Sequence, residues 1–165
     1  MKFVSIIIGS KSDYGIMKEC SKTLTKFGVA HEMIISSAHR SPERTKVYIK
    51  EAESKGAQVF IAAAGMAAHL AGAVAAATTK PVLGVPMESG ALHGEDALLS
   101  TVMMPAGMPV GTLAIGKAGA VNAAYLAVQI MALGDDELRI KLQEDRVSKA
   151  KKVELDSSEI EILLP

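Results

Sequence analysis

The sequence predicts an α/β fold: a three-layer αβα sandwich around a five-stranded parallel sheet, followed by a C-terminal helix. Three observations carry this. Short apolar runs alternate with longer amphipathic segments from residue 3 to residue 133. The short runs are mostly continuous β-branched and aliphatic stretches, as expected of strands covered on both faces. Several of them end in a turn rich in Gly, Ser or Pro that leads into a helical pattern.

The elements follow in order. Residues 3–8 (FVSIII) read as the first strand, and 13–28 as a helix entered through the glycine turn at Gly9. Residues 31–36 form the second strand, and Pro42 suits the first turn of a helix over 42–55. A third strand over 58–63 leads to an Ala-rich helix over 67–78, and a fourth over 81–86 to a helix over 94–103. A fifth strand over 111–115 precedes a helix over 118–133, with Gly134 as its C-cap. Alternation of this kind implies parallel pairing with right-handed crossovers. Five strands in this length fit a flavodoxin-like, doubly wound sheet better than a larger dinucleotide fold. Residues 135–152 are a charged helix with a thin apolar stripe of Leu138, Leu142 and Val147. The tail, 153–165, carries Ile160, Ile162, Leu163 and Leu164 among acids, and either docks on a neighbouring subunit or frays. Residues 1–134 are therefore expected to be the catalytic unit, with 135–165 part of the same single domain.

Composition removes several function classes. Lys plus Arg and Asp plus Glu balance at 18 each, so no global field recruits nucleic acid or an anionic membrane. Without Trp, a basic stripe or an aromatic stacking platform, nucleic-acid binding is not expected. Residues 57–79 are nearly charge-free, but they are Ala- and Gly-rich and interrupted by His69, which fits a buried strand and a packed helix rather than a membrane span. The apolar core of the first residues is too short for a secretory signal. The lone Cys20 excludes an internal disulfide, suits a reducing compartment and reads as core filler. A soluble, cytoplasmic protein is expected. With three Phe and no Trp, much of the burial is expected between subunits of a homo-oligomer.

Five segments could carry chemistry. The first, Gly9-Ser10-Lys11-Ser12-Asp13, follows a strand and opens a helix, so free amides and the helix dipole favour an anion there. Ser10 and Ser12 can donate to phosphate or carboxylate, and Asp13 can accept from ribose hydroxyls; Ser12 or Asp13 can equally serve as an N-cap. The segment lacks both the P-loop and the three-glycine dinucleotide patterns, so ATP and NAD sites are not expected. The second, 36–42 (SSAHRSP), sets an imidazole, His39, beside a fixed cation, Arg40, with Ser37 just before. His can take and give a proton near neutrality, and Arg offers a forked donor for phosphate. The third, 63–70, offers small walls at Gly65 and Ala67, and His69 either points into the same crevice or is structural. The fourth, 86–94, is polar and glycine-broken, with the features of an active-site loop. The fifth runs 104–124, where Lys117 either touches a ligand phosphate or is solvated. His31 reads as a surface or packing residue. No His or carboxylate pair has metal-ligand spacing, so no metal is expected.

Together the blocks GSKSD (9–13), SAHRSP (37–42), AAHL (67–70), PVLGVP (81–86) and MPVGTLAIGKAGAVNAA (108–124) resemble the class I N5-carboxyaminoimidazole ribonucleotide mutases of purine biosynthesis. The long last block favours the mutase branch over relatives that carboxylate aminoimidazole ribonucleotide directly. The resemblance implies a homo-octamer with sites between subunits. It also implies that the substrate's carboxyl group moves from the exocyclic amine to ring carbon 4 without cofactor, metal or ATP. It assigns the catalytic imidazole to His39 and substrate binding to Ser10, Asp13 and Arg40. Three residues depart from the family pattern: Met66 stands where glycine is usual, Ala71 where proline is, and Glu88 where glutamine is common.

Overall fold

Among the described residues, 1–162, the computed structural model contains five strands and six α-helices. They are β1 (Phe3–Ile8), α1 (Tyr14–Phe27), β2 (His31–Ile35), α2 (Pro42–Lys55), β3 (Ala57–Gly65), α3 (Leu70–Ala75), β4 (Val82–Met87), α4 (Glu95–Val102), β5 (Gly111–Thr112), α5 (Lys117–Ala132) and α6 (Asp136–Ile160). The strands pair in parallel in the order β2-β1-β3-β4-β5, the flavodoxin-like arrangement. All six residues of β1 are buried, and alternation divides them between two cores. Ile6 and Ile8 pack with Met17, Cys20, Leu24 and Phe27 of α1 and the small residues Ala120, Ala123, Ala124 and Ala127 of α5. Phe3 and Ile7 pack on the other face with Ile49 and Ala52 of α2 and Leu70, Ala71 and Val74 of α3. The alanines let α5 lie close to the sheet. At its start any side chain on Gly119 would collide with the carbonyl oxygen of Ala114.

Several element boundaries differ from those expected. The Ala-rich helix is only Leu70–Ala75, because residues 66–69 form a tight turn in which the Ala68 amide donates to the Met66 carbonyl at 2.8 Å. The fifth strand pairs only over Gly111–Thr112, having β4 as its single neighbour. Gly134 is not a left-handed cap: α5 closes through Leu133 in right-handed geometry. Asp13 stands at the N-cap position of α1 but makes no side-chain capping bond; that bond is made one turn earlier, where Ser10 caps a 3₁₀ turn over Lys11–Asp13 and accepts from the Ser12 amide. The last helix runs to Ile160, so much of the expected tail is helical. Leu163 and Leu164 lie outside the described residues.

α6 is held by Leu138 in the core and by a polar knot at Asp145, whose side chain is 5% exposed. The Asp145 carboxylate accepts from Tyr125 at 2.8 Å, pairs with Lys149 at 2.8 Å and binds Lys26 of α1. Burial opposes its ionisation, yet hydrogen bonds from Lys149, Lys26 and Tyr125 prevail and bring its pKa down to about 2. Among the described residues no helix is long and apolar enough to cross a membrane.

Candidate active site

In the order 2-1-3-4-5 the chain reverses direction between β1 and β3, and ligands of such sheets bind at the carboxyl ends of the strands beside that reversal. Register brings three chain exits together there: Ile8 lies between Ile35 of β2 and Ala63 of β3. The Gly9 amide donates to Ala63 and the Ser36 amide to Ile8, so the following turns form one rim.

The rim encloses a cavity of about 540 Å³. Ser10, Ser12, Asp13, Ser37, His39, Arg40, Gly65, Ala67 and His69, the nine residues expected from sequence, all line it. Local bonding shapes each turn. Ser12 donates its hydroxyl to Ser10 Oγ at 3.0 Å. The Arg40 amide donates to Ser37 Oγ at 3.1 Å, while its guanidinium reaches the Gly9 carbonyl at 3.4 Å and ties the first two turns together. Ser36 is buried behind the rim and shares a 2.7 Å hydrogen bond with Thr45 of α2. The rings of His39 and His69 stack face to face, 5.3 Å between centroids and 17° from parallel. His69 therefore faces the crevice beside His39.

Asp13 is the buried carboxyl of the site, 8% exposed. Burial raises its pKa, and the neighbouring Ser10 backbone and Ser12 side chain offset this only in part. A carboxyl facing a cavity and short of donors is suited to accept hydroxyl groups from a ligand.

Ser89 also lines the cavity and was missed as a site residue. The signal lay in the polar 86–94 segment: Gly65 pairs with Met87 across β3 and β4, so residue 89 passes close to it. A side chain on Gly65 would collide with the Ser89 hydroxyl. Glu88 and residues 90–93 turn outward, with Glu88 and His93 meeting at 3.9 Å on the solvent side. Lys117 opens α5 away from the cavity, within electrostatic reach of Glu19. His31 is a packing residue, its Nδ1 donating to the Val29 carbonyl and its Nε2 bonded to Ser21. The buried Cys20 thiol is pushed up to about 12 by desolvation, which suits core filler. A hollow of about 570 Å³ at the opposite rim, bordered by Lys2, Gly28 and Lys80, contains no imidazole and lies at the wrong end of the strands for ligand binding by such a sheet.

Fold and site together define a doubly wound α/β protein whose switch-point cavity is lined by two imidazoles, a guanidinium and a carboxyl. More particularly, the chain belongs to the AIR carboxylase family, whose model matches residues 3–152. It is 51% identical over 150 residues to the N5-carboxyaminoimidazole ribonucleotide mutase of Brucella melitensis, covering 91% of this chain and 93% of that protein. The protein of that name from Bacillus subtilis is 49% identical over 156 residues, 94% of this chain and 96% of the relative. The crystal structure of Treponema denticola PurE superposes with a TM-score of 0.89 at 28% identity, over 98% of this chain and 100% of that one.

Proposed function

We propose that this chain is an isomerase that converts N5-carboxyaminoimidazole ribonucleotide to 4-carboxyaminoimidazole ribonucleotide in purine (IMP) biosynthesis. The observation that carries the reading is the convergence of His39, His69, Arg40 and Asp13 on one cavity in a chain closely related to proteins named for that reaction.

The residues divide the work. Arg40, the amides of the first turn and the hydroxyls of Ser10, Ser12 and Ser37 hold the phosphate, and Asp13 accepts from the ribose. Gly65 and Ala67 give a small-residue wall beside the base, and His69 stacks on His39 to fix its ring plane. In the reaction the bond from the carboxyl carbon to the exocyclic nitrogen breaks, carbon dioxide leaves, and the nitrogen takes a proton from His39. The enamine-like carbon 4 then attacks carbon dioxide, and its proton returns to His39, restoring the aromatic ring. Protons and electrons balance between substrate and His39 alone, so the step calls for no cofactor, metal or ATP. Holding both fragments in register is what prevents their loss.

Residues 1–134 carry this chemistry, and 135–165 complete the same domain through Leu138 and Asp145. The working form is a cytoplasmic homo-octamer that binds neither nucleic acid nor membrane. Exposed Leu92, Leu99, Met103, Val147 and Leu155 support an assembled state.

The test supplies N5-carboxyaminoimidazole ribonucleotide to the wild-type and His39→Asn proteins. Wild-type isomerisation is expected, with kcat lower by ~10²–10⁴-fold in the variant and ligand binding retained. Near-normal turnover by His39→Asn would remove the assignment. Turnover of aminoimidazole ribonucleotide with bicarbonate, in place of isomerisation, would make the protein a direct carboxylase.

A further inference from the structure

Among the described residues only two other than glycine adopt positive φ, Met66 at +56° and His93 at +51°. Met66 lies beside the 86–94 segment and His93 lies within it. A residue with a side chain in the left-handed region is strained relative to glycine, and Met66 carries that strain at the cavity wall. Its side chain is 59% exposed, so core burial does not explain it. It lies instead across Gly90: Met66 Cγ, Cε and Sδ are 3.7, 3.8 and 3.9 Å from the position a Cβ would take there. Gly90 has φ +67°, a conformation that favours glycine, and its missing side chain leaves the space that the Met66 side chain borders. One residue earlier, Ser89 rests against Gly65 and lines the cavity. Gly65, at the end of β3, and Met66, just after it, thus lie beside the consecutive loop residues Ser89 and Gly90.

We propose that Met66 is a positioning residue, whose side chain pins the loop at Gly90 so that Ser89 presents its hydroxyl to the substrate. The flexible thioether suits this use, because it can follow an irregular backbone surface. The turn accepts left-handed strain in return for a fastened loop. The kinetic part of the proposal rests on the mutase reading above; the contact itself does not.

The test compares Met66→Gly and Met66→Leu with wild type, by steady-state kinetics on N5-carboxyaminoimidazole ribonucleotide, amide hydrogen exchange over residues 88–94 and thermal melting. Met66→Gly relieves the strain, so Tm is expected to stay level or rise. Loop exchange should quicken, and KM should rise about fivefold with kcat little changed, the scale of one neutral hydrogen bond. Met66→Leu should restore both loop exchange and KM. Unchanged exchange in Met66→Gly overturns the proposal, whether KM is unchanged or has risen, since a rise alone would mean that Met66 touches the substrate directly. A lower Tm with wild-type KM also overturns it, leaving Met66 a stabilising contact only. If wild type does not isomerise the substrate, the mutase reading fails, and loop exchange in the two variants still decides the Met66 contact.

Discussion

At the scale of single residues, Asp13, the proposed acceptor of ribose hydroxyls, is held at a cost to the fold. Its folded pKa is raised because burial disfavours the charge. A raised carboxyl favours the folded state when neutral, and that contribution is present below the unfolded pKa and lost as pH rises through the folded value. At pH 7 the ionised Asp13 therefore costs stability. Asp13→Asn is expected to raise Tm at pH 7 and to lose that advantage near pH 3, while weakening ribonucleotide binding at both; melting curves and titrations at the two pH values check this. His39, Arg40 and Asp13 were legible because each follows a strand whose end register carries to the rim. Ser89 was not, because its place depends on packing against Gly65 across two strands. The choice of Ser10 as the cap was also hidden, since a 3₁₀ turn shifts the start of α1.

At the scale of elements, the continuous aliphatic strands and Pro42 were readable because burial on both faces and a fixed φ leave a local mark. The limits of α3 and β5 were not, because they depend on a turn and a neighbour respectively; nor was the docking of α6, which depends on a polar knot. That knot governs α6. Asp145 has a depressed folded pKa of about 2, so its contribution is present above the unfolded value and lost as pH falls toward the folded one. Acid should release α6 mainly between pH 4 and pH 2. Asp145→Asn is expected to cost about 2 kcal/mol at pH 7, the scale of charged hydrogen bonds, and to erase the acid dependence in that window. Chemical denaturation across pH tests both. Arg40, by contrast, ties two turns without being buried, so its loss should leave stability nearly unchanged.

At the scale of the whole molecule, flavodoxin-like topology follows from the order of strands and helices, and the crest site follows from the topology. The proposed assembly leaves only one mark in the sequence, a shortage of bulky core residues. In the structure that shortage corresponds to close-packed alanines inside and to apolar side chains outside, such as Leu99, Met103 and Val147. The last part of α6 has a distinct consequence. Beyond Lys149 nearly every described residue to Ile160 is exposed, and the helix projects past its last buried anchor. An unpacked helical extension is only marginally stable in water. Its helicity should then register how crowded the chain is by its own copies. Far-UV circular dichroism taken through serial dilution, alongside light scattering, should lose helical signal as particle mass falls. A signal constant while mass drops would mean that the extension stands unaided. The end of α6 would thus serve as an internal gauge of association, readable without any label.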